Sequence, residues 1–173
     1  MIIFYILTTR KNMMNVSEFR GFARIYSVLW LVYCVLTSRN TVRFGDARQI
    51  EIDSMIDDWA FMKKCCKNPA LIPFLFIFTW TLSTLIDVLG IVLLIQFADG
   101  VVFRAMLALA AIFFLGMIIR SSVLFSSLNY ISDTESLRAA LEKSLTHWKV
   151  RCIAGARIAR MIEAVTFVYI LYS

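Results

Sequence analysis

Apolar residues are gathered into four stretches of the chain, with polar segments between them. The two clearest stretches cover residues 70–97 and 101–119. Each has about the length that an α-helix needs to cross the ~30 Å hydrocarbon layer of a bilayer. Only Ala98, Asp99 and Gly100 separate them, and so short a link forces two helices to run antiparallel. The pattern therefore predicts a transmembrane helical hairpin.

The first apolar stretch, residues 21–38, leaves two alternatives open. Its uninterrupted apolar part is shorter than a full span. It reaches a spanning length only if Arg24 and Arg39 extend their charged ends towards the interface. We expect a transmembrane helix here, and an interfacial or re-entrant helix is the alternative.

The last apolar stretch, residues 153–172, is interrupted by Arg157, Arg160 and Glu163. Three ionisable side chains are costly where they face lipid. Either the helix enters the membrane with its charged turn at the interface, or it packs inside a bundle. The sequence favours the first arrangement.

Two polar stretches, residues 47–67 and 133–151, repeat apolar residues every three or four positions, which is typical of amphipathic helices. Asp46 can cap the first helix, and Ser132 with Glu135 forms a capping-box pattern before the second. Apolar stripes of this kind pack against neighbouring helices or lie on the bilayer surface. A groove for a docking partner is the less common alternative.

Basic residues suggest an orientation for these elements. Lys and Arg are frequent between the first and second spans and after the third, whereas the hairpin link has none before Arg104. The positive-inside rule then places both amphipathic helices in the cytoplasm and the hairpin turn outside. The basic N-terminal segment conflicts with this orientation if residues 21–38 span.

The N-terminus does not have the pattern of a cleaved signal peptide. Apolar residues 2–7 precede Arg10 and Lys11, the reverse of the usual order, so we expect an uncleaved N-terminus. Translation from Met13 or Met14 instead of Met1 is an alternative.

The apolar stretches, the amphipathic patterns and the uncleaved N-terminus together predict an all-α, multi-pass protein of a bacterial inner membrane. Its fold has three to four transmembrane helices, a central antiparallel hairpin and two cytoplasmic amphipathic helices.

Composition supports a membrane protein and excludes several other classes. The 173 residues are 60% hydrophobic and 17% charged, whereas soluble domains are nearer half apolar and a quarter charged. The net charge of +6 comes from basic residues beside apolar runs, as in membrane anchoring, so we expect no nucleic-acid partner. Four cysteines without a C-x-x-C pair and one histidine indicate neither a metal nor a cofactor site. With no catalytic motif, we do not expect an enzyme.

Asp87 is the most informative single residue, because it lies near the middle of the second apolar stretch. In the hairpin, Arg104 and Arg120 are offset from it by roughly 10–14 Å along the helix axis. Asp87 is therefore neutral, bonded to hydroxyl groups, paired with an arginine of the first or last stretch, or paired with another protein. A satisfied polar contact between helices is the commoner outcome, and a proton-carrying role is the alternative. The candidate intramembrane polar or partner site comprises Asp87, Arg104, Arg120, Arg157 and Arg160.

Small residues spaced four apart suggest where helices approach closely. Such pairs permit tight packing of transmembrane helices, although they also arise by chance in apolar sequence. The candidate packing pairs are Ser122 with Ser126 and Gly155 with Ala159.

Three functions agree with this architecture. The first is a non-enzymatic protein that binds another integral membrane protein through its helices in a protective or inhibitory role, such as immunity or exclusion of conjugal transfer. The second is an accessory subunit of a larger membrane complex, respiratory or secretory. The third is a small proton-coupled carrier or channel that uses Asp87 and works as a homo-oligomer in the lipid bilayer. The first rests on analogy of architecture alone.

Overall fold

The part of the chain that the structure describes consists of three long apolar helices and three more polar ones. The computed structural model describes residues 16–38, 46–66, 68, 71–127, 130 and 133–173, which form helices and short links and include no strand. Residues 2–7, Met13, Met14 and Ser132, on which sequence predictions rest, lie outside these ranges. The helices are α1 (Val16–Ser38), α2 (Ala47–Cys65), α3 (Ile72–Phe97), α4 (Gly100–Ser127), α5 (Thr134–Ser144) and α6 (His147–Tyr172). Helices α1, α3 and α4 are long and apolar enough to cross a membrane. The predicted all-α class is confirmed.

Two of these helices are longer than the sequence predicts. Helix α1 begins at Val16 and has 23 residues, which corresponds to about 35 Å, enough to cross a bilayer. Helix α4 continues through Arg120 to Ser127 instead of ending at residue 119. The Arg120 guanidinium is paired with acidic side chains, so its charge does not force the helix to end there.

Helices α3 and α4 run antiparallel, as the short link requires. Gly100 follows Asp99 with a φ of 53°, a left-handed conformation that glycine adopts without strain. The Trp80 indole donates a hydrogen bond to Ser121 Oγ at 2.7 Å, and Phe76 packs edge-on against Phe125. The two helices therefore contact each other where α3 begins and α4 ends.

Helix α6, and not the α3–α4 hairpin, is the centre of the bundle. It runs beside α1, α3 and α4 and packs most extensively against α4. Of the two arrangements that the sequence leaves open for this helix, the structure shows packing inside a bundle, since Arg160 and Glu163 are buried. Small residues bring α6 close to α4: Gly116 of α4 faces Ala156 and the Cys152 carbonyl. Within the bundle, partner side chains take the place of water around the guanidinium groups of Arg157 and Arg160.

Helices α2 and α5 cover one end of the bundle. Their apolar stripes form one buried cluster together with the adjoining ends of α3, α4 and α6. The members from α2, α5 and the residue that follows α5 are Ile52, Met55, Trp59, Leu137, Leu141 and Leu145. Asp46 caps α2 by accepting a hydrogen bond from the Arg48 amide. The cap of α5 is Asp133, which accepts from the Glu135 and Ser136 amides. These donors, with the Ser136 hydroxyl, lower the pKa of Asp133.

The stretch predicted as one helix over residues 133–151 is two helices. Helix α5 ends at Ser144, and α6 begins at His147. The Arg48 side chain of α2 donates to the carbonyls of Glu142 and Leu145. A guanidinium on the last carbonyls of a helix satisfies acceptors that have no partner within the helix. Arg48 therefore stabilises the end of α5 at this break.

Candidate functional site

Asp87 lies in the interior of the bundle between α1, α3 and α6, with only 1% of its surface exposed. The Trp30 indole of α1 donates a hydrogen bond to Oδ1 at 2.9 Å. The Arg160 guanidinium of α6 donates to Oδ2 at 3.2 Å. Of the alternatives that the sequence leaves open, the structure selects pairing with an arginine of the last apolar segment.

Arg160 joins three helices. Besides Asp87, its guanidinium donates hydrogen bonds to the hydroxyls of Thr37 and Ser38 at the end of α1. It also lies over the Tyr33 ring, with 5.5 Å from Cζ to the ring centroid. The Tyr33 hydroxyl is in turn hydrogen-bonded to Ser83 Oγ of α3. Asp87 and Arg160 therefore belong to a polar network across the bundle.

This network borders a cavity of about 340 Å³. Five helices contribute to its wall, and most of the side chains are polar. Its charged and hydroxyl-bearing residues are Tyr33, Thr37, Ser54, Asp58, Ser83, Thr84, Asp87, Arg120, Ser121, Arg157 and Arg160. The bundle thus contains a polar chamber between helices whose outer surfaces are largely apolar.

The cavity leads from the α2 end of the bundle to the buried pair. At that end, the side chains of Asp58 and Arg120 are 48% and 29% exposed. At the inner end, those of Asp87 and Arg160 are 1% and 9% exposed. The charged residues of the cavity wall are therefore more exposed at the α2 end than at the buried pair.

Beyond Asp87, aromatic side chains fill the opposite half of the bundle. The Trp30 ring packs edge-on against Phe167, with ring centroids 6.2 Å apart. Phe167 also contacts Phe97, which stacks on Phe19. A Cβ atom at Gly90 would lie 2.5 Å from the Trp30 ring, so the indole sits directly on the α3 backbone. Among the described residues, these aromatic contacts close this half of the bundle.

Helix α2 is attached to the bundle by a buried charge network centred on Glu51, which is 3% exposed. Its carboxylate pairs with Arg157 of α6 at 2.7 Å and with Arg120 of α4 at 3.3 Å. Arg120 also pairs with Asp58 of α2 at 2.9 Å. Two arginines from separate helices thus hold α2 beside the cavity.

The chain matches no protein-family model, and comparison with curated proteins and with solved structures gives no significant match. Among the described residues, no group of three or more His, Cys, Asp and Glu side chains is arranged to hold a metal ion. The function therefore has to be argued from the geometry of the cavity.

The structure brings together four of the five residues of the predicted polar site. Asp87, Arg120, Arg157 and Arg160 all line the cavity, whereas Arg104 is exposed on α4 and does not. Arg104 lies one turn after the hairpin link, so it is too close to the link to reach the level of Asp87 in α3.

The predicted packing residues are placed differently. Ser122 and Ser126 are exposed and bond to carbonyls of their own helix, so they do not form a close contact between described helices of this chain. Ala159 is buried, but a Cβ on Gly155 would have its nearest neighbour, Ile112, at 4.0 Å. Gly116, rather than Gly155, is the glycine that lies directly against the backbone of the other helix.

Three residues of the buried polar groups are absent from the sequence-predicted site: Trp30, Glu51 and Glu163. Nothing near Trp30 or Glu163 along the chain indicates that either side chain lies beside Asp87 and Arg160. Glu51 lies in the first turns of α2, where acidic residues also suit the helix dipole. One signal in the sequence could have found Glu51, because it stands four positions before Met55 and so lies on the apolar side of this helix.

Replacing Glu51 by Gln is expected to loosen α2. The neutral amide leaves Arg157 without its only carboxylate partner among the described residues, and breaking a buried ion pair costs about 3–5 kcal/mol. We expect backbone amide exchange over residues 47–65 to accelerate by about tenfold or more, measured by mass spectrometry in detergent. Asp57→Asn, at an exposed position of the same helix, is the matched control. Equal exchange in both variants would contradict the attachment of α2 through Glu51.

Proposed function

We propose that the protein is a multi-pass carrier of a bacterial inner membrane that binds a small polar solute in the cavity and couples its movement to protons through Asp87. The observation that carries this proposal is the polar cavity of about 340 Å³ that ends on a buried carboxylate. Intramembrane ionisable residues are costly and characteristically line substrate or proton pathways. Ion pairs that served helix packing alone would not need a cavity beside them.

The closed aromatic half favours a carrier over an open channel. A channel needs a continuous polar path, whereas Trp30, Phe97 and Phe167 fill the space beyond Asp87. A carrier exposes its site to one side at a time. In the orientation favoured by the basic residues, the α2 end faces the cytoplasm. We therefore propose that the α2 end is the side from which the solute enters.

The charges of the cavity suit a solute that has both an anionic and a cationic group. Guanidinium groups of Arg120, Arg157 and Arg160 recognise a carboxylate through paired hydrogen bonds. The carboxylates of Asp58 and Asp87 and several hydroxyls can accept hydrogen bonds from an ammonium group. We therefore propose a small zwitterion of the free amino acid class as the solute.

Transport by reconstituted protein tests this function. Proteoliposomes with an imposed pH gradient are expected to accumulate radiolabelled free amino acids above the level of protein-free vesicles. Asp87→Asn is expected to abolish gradient-driven uptake while the protein keeps its circular dichroism spectrum, because the amide cannot exchange a proton. Asp99→Asn, in the exposed hairpin turn, should transport normally. Uptake that is no higher than in empty vesicles, or is unaffected by Asp87→Asn, would overturn the proposal.

The pairing within the chain bears on the other two hypotheses. In an accessory subunit, Asp87 and the arginines of the third apolar segment would pair with neighbouring chains. Asp87 and Arg120 instead have partners inside this chain. The hypothesis of a protective protein that binds another membrane protein is supported by no particular contact among the described residues. Resistance conferred by expression of the chain alone, without solute uptake by the purified protein, would favour that role over transport.

A further inference from the structure

Glu163 is a completely buried carboxyl of the bundle and has no part in the contacts described so far. It is 0% exposed, and neither carboxyl oxygen has a hydrogen-bond partner among the described residues. It lies three positions after Arg160 on α6, on the same side of that helix. Glu163, Arg160 and Asp87 therefore form one buried group of two carboxyls and one guanidinium.

The surroundings of Glu163 offer no second positive charge. Asp87 of α3 and Arg160 of α6 interact with it electrostatically. Helix α1 contributes three titratable groups to this region, Tyr26, Tyr33 and Cys34. Helix α4 contributes Met106, Ala110 and Phe113 to the same core, none of which titrates. Arg160 is the only cation of the described residues in this group.

Charge balance then determines the state of the group. One guanidinium neutralises one carboxylate, and Arg160 is hydrogen-bonded to Asp87. An ionised Glu163 would be a second buried negative charge without a counter-charge or a hydrogen-bond donor, which is far more costly than burying the neutral acid. The group can accommodate both carboxyls only if it binds one proton.

We propose that Glu163 is a proton-binding site, which holds one proton while Arg160 neutralises Asp87. The proton can pass from Glu163 to the Asp87 carboxylate, after which Asp87 is the neutral acid and Glu163 the carboxylate. Arg160 then pairs with Glu163 instead, so the total charge of the group does not change. Asp87 lines the cavity, whereas Glu163 lies beyond Arg160, towards the aromatic half of the bundle. This exchange therefore moves a proton between the two halves.

This inference deepens the proposed function, since it identifies the group that carries the coupled proton. It can nevertheless be tested without any solute. A protein that fails to take up amino acids could still hold a proton at Glu163, and a transporter could work with Glu163 permanently ionised. The two proposals therefore fail separately.

Infrared spectroscopy of the purified protein in lipid tests the assignment, because a protonated carboxylic acid has a carbonyl band that a carboxylate lacks. At neutral pH we expect this band in the unaltered protein and its loss in Glu163→Gln. Glu142→Gln, on the exposed face of α5, should keep it. The amide of Glu163→Gln has nearly the shape of the neutral acid, so this variant is expected to fold.

A second variant tests whether the proton is shared. In Asp87→Asn, Arg160 has Glu163 as its only carboxylate, so Glu163 is expected to ionise and the band to disappear. The assignment would be overturned if the unaltered protein had no such band, or if the band survived Glu163→Gln. A band that is absent in sodium chloride but present in choline chloride would identify a sodium site instead. A band retained in Asp87→Asn would contradict the shared proton.

Discussion

Arg160→Met is expected to lower the free energy of unfolding by about 3–5 kcal/mol, the usual cost of leaving a buried charge without its partner. The variant removes the counter-charge of Asp87 and the donors to Thr37 and Ser38. Methionine keeps much of the apolar stem, so the effect reports the charge and the hydrogen bonds rather than a cavity. Unfolding of the detergent-solubilised protein, followed by circular dichroism against a denaturant, measures it.

The comparison with Asp87→Asn makes this prediction specific. Asparagine still accepts the Trp30 hydrogen bond, and Arg160 retains Thr37, Ser38 and the nearby Glu163. We therefore expect a clearly smaller loss of stability than in Arg160→Met. Combining both substitutions should recover part of the loss, because neither charge then remains unpaired. Arg104→Met, at an exposed position of α4, should stay within about 0.5 kcal/mol of the unaltered protein. Equal effects of Arg160→Met and Arg104→Met would contradict the role of Arg160.

Gly116→Ala is expected to destabilise the packing of α4 against α6 by about 1–3 kcal/mol, as in other overpacked contacts. The added Cβ would lie 2.3 Å from Ala156 Cβ and 2.7 Å from the Cys152 carbonyl oxygen. One of these neighbours is backbone, so only a shift of a whole helix can relieve the clash. Thermal unfolding in detergent should show a lower midpoint.

Gly155→Ala is the matched control, because it makes the same chemical change on the other helix of the same pair. Its Cβ would meet nothing nearer than Ile112 Cγ2 at 4.0 Å. Alanine is the better helix former by about 1 kcal/mol, so this variant should be slightly more stable than the unaltered protein. Opposite signs for the two substitutions are the expected result. A stabilising Gly116→Ala would show that α4 and α6 are not in close contact there.

The length of apolar runs was enough to predict the hairpin of α3 and α4, since a short link between two spans permits only an antiparallel return. Local chemistry was also informative. Asp46 caps α2 as predicted, because a capping side chain bonds to amides only two or three residues away. Asp87 stood out because a carboxylate in the middle of an apolar run is costly unless it has a partner inside the protein. Each of these predictions depends on neighbours along the chain.

The position of α6 could not be predicted in this way. Its three ionisable residues indicated the membrane interface, because their partners are distant in sequence: Glu51 precedes Arg157 by 106 positions, and Asp87 precedes Arg160 by 73. Gly116 likewise gives no sign in sequence that it, rather than Gly155, lies against another backbone. These contacts depend on the relative rotation and height of whole helices.

The sequence by itself determined that this is an all-helical chain with helices that can cross a membrane, and that Asp87 lies within one of them. Run length, periodicity and capping act between residues close together in the chain, so they can be read directly. Only the tertiary structure decided that the charged α6 lies at the centre, that Glu51 holds α2 in place, and that Glu163 is buried beside Arg160. The cost of an intramembrane charge depends on its partner, and that partner is set by how the helices pack.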